Sequence, residues 1–119
     1  MAFAFEKLKV YQKAVDLADH TSIFTSRISR GFFYLADRLN RVTLAIAAHI
    51  AVGNSQFTKS EKKTAYGQAR SSICECVPLL EVAKRRALIT ADQHERLFAE
   101  LEDISKMLSG LIKGLDKAK

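Results

Sequence analysis

Basic side chains are the residues of this chain most suited to binding chemistry. Lys and Arg number 19 against 13 Asp and Glu in 119 residues, which gives a formal net charge of +6. A surplus of this kind favours anionic partners, and affinity for a phosphate backbone rises with each cation that displaces a counterion. The alternative is that lysines near helix ends are ordinary solubilising residues. The elements that carry the cations decide between these interpretations.

Histidine and cysteine are the other candidates for a site. His49 falls on an apolar stripe, where a core histidine bonded to a neighbour is more common than a ligand or a pH switch. Cys74 and Cys76, the two cysteines, stand at i and i+2 of a predicted helix and point apart, so we expect small, buried, free thiols. The four-ligand spacing of a structural zinc site is missing. We find no catalytic triad, phosphate loop or carboxylate pair, and predict no enzyme, metal or cofactor.

Apolar residues recur at alternating steps of three and four along most of the chain, which predicts long α-helices. One proline and five glycines are too few for the turns of a sheet protein. The sequences TKSE, from Thr58, and TADQ, from Thr90, have the pattern of capping boxes at helix starts. Pro78 interrupts a stripe that continues in phase, so we expect it to bend its helix without ending it. The predicted helices span about residues 5–28, 32–52, 59–87 and 91–115.

The second predicted helix is apolar around most of its surface. Its stripe consists of Leu35, Leu39, Val42, Ile46, His49 and Gly53, and no formal charge occurs from Val42 to Gly53. A helix of this kind is buried nearly all round, which suggests packing inside its own chain and against another copy. The uncharged run from Val42 to Thr58 is too short for a membrane span, and the charged opening does not resemble a signal peptide. We therefore expect a cytoplasmic protein.

Four helices with short connections predict an all-α, antiparallel up-down-up-down bundle, and the length fits a single domain over residues 1–119. Alternating helix directions would collect cations at both ends of such a bundle. One end would hold Lys7, Lys9, Lys13, Lys59, Lys62, Lys63, Lys113, Lys117 and Lys119. The other would hold Arg27, Arg30, Lys84, Arg85 and Arg86, with Arg38 and Arg41 further inward. The acidic residues concentrate instead on the fourth helix.

Several segments resemble a known family of bacterial proteins. They are FEKLKVY at residues 5–11, the stretch 39–53, the stretch 69–75 and ISKMLSGLIK at residues 104–113. In this order they resemble the signatures of four-helix bundle proteins encoded within intervening sequences of 23S rRNA genes. The chain departs from that family at Asn40, where an arginine is usual, and in AIAAHIAVG at residues 45–53, where S-I-P-x-N-I-A-E-G is frequent. Accessory proteins of diversity-generating retroelements, which assist a reverse transcriptase, form a related branch.

The resemblance implies a bundle that assembles as a cyclic homopentamer, binds nucleic acid through basic surface and has no catalytic activity. On this basis we predict an RNA-binding protein with phosphate contacts from Arg38, Arg41, Lys62, Lys63, Arg70, Lys84, Arg85 and Arg86. A second hypothesis is an accessory subunit whose partner is a protein such as a reverse transcriptase. A third is an enzyme with a site at a subunit junction near His49.

Overall fold

The computed structural model describes residues 2–117, and every regular element in that range is helical. Lys119, which the sequence placed at one basic end of the bundle, lies outside the described residues. The α-helices are α1 (Lys9–Thr25), α2 (Phe33–Ser55), α3 (Lys59–Arg85) and α4 (Ala91–Lys117), with short 3-10 helices at Ala4–Lys7 and Arg30–Phe32. The chain measures 50 × 26 × 20 Å along its principal axes. Over the same residues no helix combines the length and the hydrophobicity needed to cross a bilayer. The prediction of an all-α chain with four helices is confirmed.

The first helix is shorter than the predicted span of 5–28. Residues Ala4–Lys7 form a separate 3-10 turn, in which the Glu6 carboxylate accepts a hydrogen bond of 2.9 Å from the Phe3 backbone N–H. At the other end, Ile28 is only 5% exposed although it lies beyond the last residue of α1. The apolar stripe extends past the end of α1 because it records burial, and burial continues at Ile28 in the turn that follows the helix.

Both predicted capping boxes are formed. At the start of α3 the Glu61 N–H donates to Thr58 Oγ1 at 3.1 Å, and at the start of α4 the Gln93 N–H donates to Thr90 Oγ1 at 3.0 Å. These hydroxyls satisfy backbone N–H groups that have no partner inside the helix. The two helix starts are therefore fixed by side chains within one turn of the boundary.

The third helix ends at Arg85 instead of the predicted residue 87. Ala87 has a φ of 58°, in the left-handed region, and the Leu88 N–H donates to the Ala83 carbonyl at 2.9 Å. This hydrogen bond closes a helix-ending turn of the Schellman type. Ala87 is exposed in that turn, so it leaves the stripe on which the sequence placed it.

Pro78 lies within α3, and the helix continues on both sides of it as predicted. Proline has no backbone N–H, so the Cys74 carbonyl loses its helical donor. Both residues are exposed, and water can replace the lost donor there. The solvent-facing position explains how a long helix tolerates an internal proline.

Side chains from all four helices form one core. The most deeply buried large apolar ones are Leu17, Leu39, Ile46, Ile50, Ile104 and Leu108. α2 makes its most extensive contacts with α3, and it also packs against α1. Asn40, one of the positions at which the sequence departs from the family it resembles, donates through Nδ2 to Thr25 Oγ1 at 3.0 Å. The asparagine thus ties α2 to the end of α1.

Gly53 marks a very close approach between α2 and α3. A Cβ atom added to Gly53 would lie 2.6 Å from Tyr66 Cε1 and 3.2 Å from Ala65 Cβ. Tyr66 is only 3% exposed, and burial raises the pKa of its hydroxyl while a hydrogen bond with the Asn54 side chain opposes that rise. The Tyr66 ring therefore packs directly against Gly53 while its hydroxyl is held by Asn54, and only glycine fits beside the ring.

Only part of the apolar surface of α2 is buried inside the chain. One face packs into the core, but the opposite face is uncovered; we call it the α2 outer strip, and it comprises Tyr34, Arg41, Leu44, Ala48 and Val52. Leu44 is 62% exposed and Val52 is 49% exposed. The single chain therefore buries only one face of α2, and burial of the other face against another copy stays a prediction.

The sequence pattern placed His49 in the core, but His49 is only half-buried and its neighbour Ile50 occupies that core position. After Ile46 a step of either three or four keeps to one face of a helix, and the packing of α2 selects the step of four. No hydrogen bond or ion pair joins His49 to another side chain within residues 2–117. The interpretation of His49 as a bonded core histidine is therefore wrong.

Candidate nucleic-acid interface

The eight cations predicted to contact phosphate lie on or directly after α2 and α3. Arg38 and Arg41 are on α2, five others are distributed along α3, and Arg86 directly follows its last residue. Lys62 and Arg86 stand at its two ends, about 36 Å apart at a rise of about 1.5 Å per residue. The structure therefore divides these residues among several places instead of bringing them into one cluster.

Four of the eight cations are paired with carboxylates of the same chain. Arg41 Nε lies 2.9 Å from Asp37 Oδ2, and Arg85 Nε lies 3.0 Å from Glu81 Oε2, each pair one helical turn apart. Between helices, the ion pairs are Arg38 with Glu75 and Lys63 with Asp116. Exposed ion pairs add little stability, but each one neutralises a charge that phosphate would otherwise meet.

The Glu81 carboxylate shows how persistent this neutralisation is. Its hydrogen bond from Arg85 lowers its pKa, and the nearby charges of Lys84, Arg85 and His94 act in the same direction. A carboxyl group with a lowered pKa keeps its negative charge to a lower pH. Glu81 therefore remains ionised beside Arg85 under ordinary conditions.

Lys62 has a structural role that the sequence did not indicate. Its Nζ donates to the Asn54 carbonyl at 2.8 Å and to the Gly53 carbonyl at 3.4 Å. These carbonyls belong to the last turn of α2, where the helix leaves carbonyl groups without N–H partners and a cation is favourable. The ammonium group of Lys62 is thus already committed to the chain.

Three of the predicted cations make no ion pair or side-chain hydrogen bond within the described residues. Arg70, Lys84 and Arg86 are exposed, and within residues 2–117 none of them makes an ion pair or a side-chain hydrogen bond. The same holds for Arg27 and Arg30, which the sequence placed at one end of the bundle but not among the phosphate contacts. Arg27, Arg30, Arg70 and Arg86 have no acidic residue three or four positions away. The paired residues Arg38 and Lys63 have none either, so this spacing alone does not identify the unpaired cations.

The two cysteines differ in their surroundings. Cys76 is buried, and burial together with the nearby charge of Glu75 raises the pKa of its thiol to about 12. Cys74 is exposed, so the expectation of two buried thiols is wrong for it. The difference follows from their spacing, because positions i and i+2 of a helix face different directions.

We expect a thiol reagent to modify Cys74 and to spare Cys76 in the folded protein. At pH 8 a thiol with a pKa of about 12 is ionised to only about one part in 10,000, and the thiolate is the reactive form. The test compares Cys74→Ser and Cys76→Ser chains with a chromogenic disulfide reagent. The Cys76→Ser chain should react at once, and the Cys74→Ser chain only after unfolding. Equal rates in the folded state would contradict the burial of Cys76.

Comparisons with known proteins were made for sequence and for structure. A family model described as 23S rRNA-intervening sequence protein matches residues 6–110. One similar solved structure is a protein of unknown function from Bacteroides thetaiotaomicron, from the S23 ribosomal protein family. It is 21% identical, the match covers 87% of this chain and 95% of that one, and the TM-score is 0.82, which establishes a shared fold. No curated protein matches the sequence.

Proposed function

The chain belongs to the 23S rRNA-intervening sequence protein family, and we propose that it is a non-enzymatic, cytoplasmic, homo-oligomeric RNA-binding protein. One observation carries the proposal. Arg70 and Lys84 are exposed on α3, Arg86 is exposed directly after its last residue, and none of the three has an ion-pair partner among the described residues. Because binding to RNA gains free energy from released counterions, such cations contribute more than cations already neutralised by carboxylates. Arg27 and Arg30 extend this surface in the proposal.

We propose that the helices run antiparallel in up-down-up-down order. Support comes from contacts between α3 and α4: Lys63 in the first turns of α3 pairs with Asp116 near the end of α4. His94 Nε2, near the start of α4, lies 3.9 Å from Glu81 Oε1 in the last turns of α3. In this arrangement the α1–α2 and α3–α4 connections meet at one end and place their cations together.

We further propose that copies of the chain associate through the α2 outer strip. Its exposed leucine and valine gain free energy from burial, about 25 cal/mol for each Å² of apolar surface covered. The family resemblance suggests a cyclic homopentamer, in which each chain presents two different faces to its neighbours. Arg41 lies on this strip and pairs with Asp37, so in the proposal it is an interface residue and not a phosphate contact.

The test compares two variants that each remove three positive charges. One, Arg70→Gln/Lys84→Gln/Arg86→Gln, removes unpaired cations; the control, Arg38→Gln/Lys63→Gln/Arg85→Gln, removes ion-paired ones. In titrations of a structured RNA at low salt we expect about a 10-fold loss of affinity for the first and a much smaller loss for the control. The slope of log affinity against log salt should fall by about two for the first variant only.

Two results would contradict the proposal. If the wild-type protein did not bind RNA at low salt, the assigned function would be wrong. If both triple variants lost affinity equally, binding would depend on net charge alone, and the unpaired cations would have no special role. Light scattering of the wild-type protein tests the assembly separately, with an expected mass about five times the 13.3 kDa of one chain.

A further inference from the structure

An apolar groove lies between the start of α1 and the last turns of α4, and we call it the α1–α4 groove. Its volume is about 550 Å³, within the range of binding clefts. Its floor consists of Leu8, Val10, Met107, Leu111 and Leu115. Apart from Val10 these side chains are only partly buried, although they pack against the core. The chain thus leaves an unfilled hydrophobic channel along about 12 Å of α4, the rise of eight helical residues.

Two glycines line the same groove, and the packing within the chain does not require glycine at either position. A Cβ atom added to Gly110 or Gly114 would meet nothing within 4 Å. Glycine in the middle of a helix costs about 1 kcal/mol of stability relative to alanine. At Gly53, in contrast, the packing does require glycine, because a Cβ atom there would collide with Tyr66. The open space over Gly110 and Gly114 is room for the close approach of something outside this chain.

The charges beside the groove are mostly positive. The two segments that form it carry Lys7, Lys9, Lys106, Lys113 and Lys117, none of which makes an ion pair or side-chain hydrogen bond within residues 2–117. The acids of these segments are already engaged. Glu6 accepts the Phe3 N–H, and Asp116 pairs with Lys63. The groove therefore combines an apolar floor with unneutralised lysines.

We propose that the α1–α4 groove docks an acidic amphipathic helix of a partner polypeptide. Apolar side chains of such a helix, spaced three and four apart, fill the floor, and acidic side chains along its edges meet the lysines. Nucleic acid matches the lysines but would leave the floor exposed. The α2 outer strip of a second copy matches the floor but not the lysines. No acid occurs from Val42 to Thr58, and Asp37, which lies beside the strip, is already paired with Arg41. An acidic amphipathic helix satisfies both features.

The docking proposal is independent of the RNA-binding proposal. Arg70, Lys84 and Arg86 do not line the groove. The two surfaces can therefore be inactivated one at a time, and a failure of one proposal can be recognised while the other stands.

The experiment fills the groove and measures binding of a designed probe. Gly110→Leu/Gly114→Leu introduces two side chains into open space, so thermal unfolding should show a fold at least as stable as the wild type. The probe is a fluorescent peptide of about 18 residues, leucine at heptad-like spacing and glutamate elsewhere; the control replaces glutamate with lysine. We expect the acidic peptide to bind at least about 10-fold more tightly than the control, and the double variant to lose at least about 10-fold of that affinity.

RNA titration and light scattering of the same variant complete the test. Unchanged RNA affinity and unchanged mass, together with lost peptide binding, are the expected outcome. The proposal is overturned if the acidic peptide binds no better than the lysine peptide. A lower mass of the double variant would assign the groove to a second copy, and a lower RNA affinity would assign it to nucleic acid; either result overturns the docking of a partner helix.

Discussion

Replacing Leu44 and Val52 with lysine is expected to dissociate the proposed oligomer into single chains of 13.3 kDa and to weaken the proposed RNA binding by about 100-fold. Both side chains are mostly or half exposed in the single chain, so the substitutions should leave its fold intact. In the oligomer the same positions would bury two charged groups without partners, which is strongly unfavourable. Light scattering measures the mass, and circular dichroism checks the helices.

The direction of the change in RNA affinity distinguishes an effect of multivalent attachment from an effect of net charge. Two added lysines make each chain more basic, and on charge alone the variant should bind RNA more tightly. Separated chains lose the simultaneous contacts of several copies, which are worth about 10²- to 10⁴-fold in linked systems and therefore exceed the gain from two added charges. Weaker binding by a more positive protein would therefore identify multivalent attachment.

The matched control places the same two charges on α1. Val15 and Ile23 are exposed apolar residues of α1, at 41% and 55%. Val15→Lys/Ile23→Lys should keep the mass of the wild type and bind RNA at least as well. If the Leu44→Lys/Val52→Lys protein kept the wild-type mass, the α2 outer strip would not be the interface. If it became monomeric and kept its RNA affinity, the contribution of multivalency would be refuted.

Gly53→Ala is expected to destabilise the fold by about 1–3 kcal/mol, although alanine favours helices more than glycine does. The added methyl group would lie 2.6 Å from Tyr66 Cε1. The ring cannot rotate away without breaking its hydrogen bond with Asn54 or opening the contact between α2 and α3. Chemical denaturation with urea, monitored by circular dichroism, measures the free energy of unfolding.

Gly67→Ala provides the opposite expectation within the same protein. Gly67 lies in α3, and a Cβ atom there would meet nothing within 4 Å. Its replacement should stabilise the chain by about 0.5–1 kcal/mol, because alanine loses less backbone entropy on folding. If Gly53→Ala stabilised the chain as Gly67→Ala is expected to, helix propensity would dominate at both positions, and the close approach of Tyr66 would be contradicted.

Local sequence signals predicted the fold because each requires only residues within about a turn of one another. The capping boxes at Thr58 and Thr90 fixed two helix starts, and the apolar stripes identified all four helices. The same stripes could not fix the helix ends, since Ile28 is buried outside α1. They also could not choose between His49 and Ile50, because both continue the face of Ile46 and only the neighbouring helices decide which one is covered.

The candidate interface was less predictable because it depends on which faces meet. The pair Asp37–Arg41 could be read from its spacing of four, and Glu81–Arg85 likewise. The pairing of Arg38 with Glu75 joins different helices and is invisible in the sequence. Lys62 is a similar case, since its role requires the last carbonyls of α2 to face the start of α3. Acid spacing could not have recognised Arg70 and Arg86 as unpaired, because Arg38 and Lys63 also lack an acid three or four positions away and are paired across helices.

The elongated shape of the chain has a hydrodynamic consequence for these measurements. Its radius of gyration is 15.0 Å, whereas a compact domain of this length has about 13.5 Å. A monomeric variant would therefore diffuse more slowly and leave a sizing column earlier than a sphere of equal mass. Elution volume would make complete dissociation resemble a partial one. Sedimentation equilibrium, in which frictional resistance cancels, would report the same variant at its true mass.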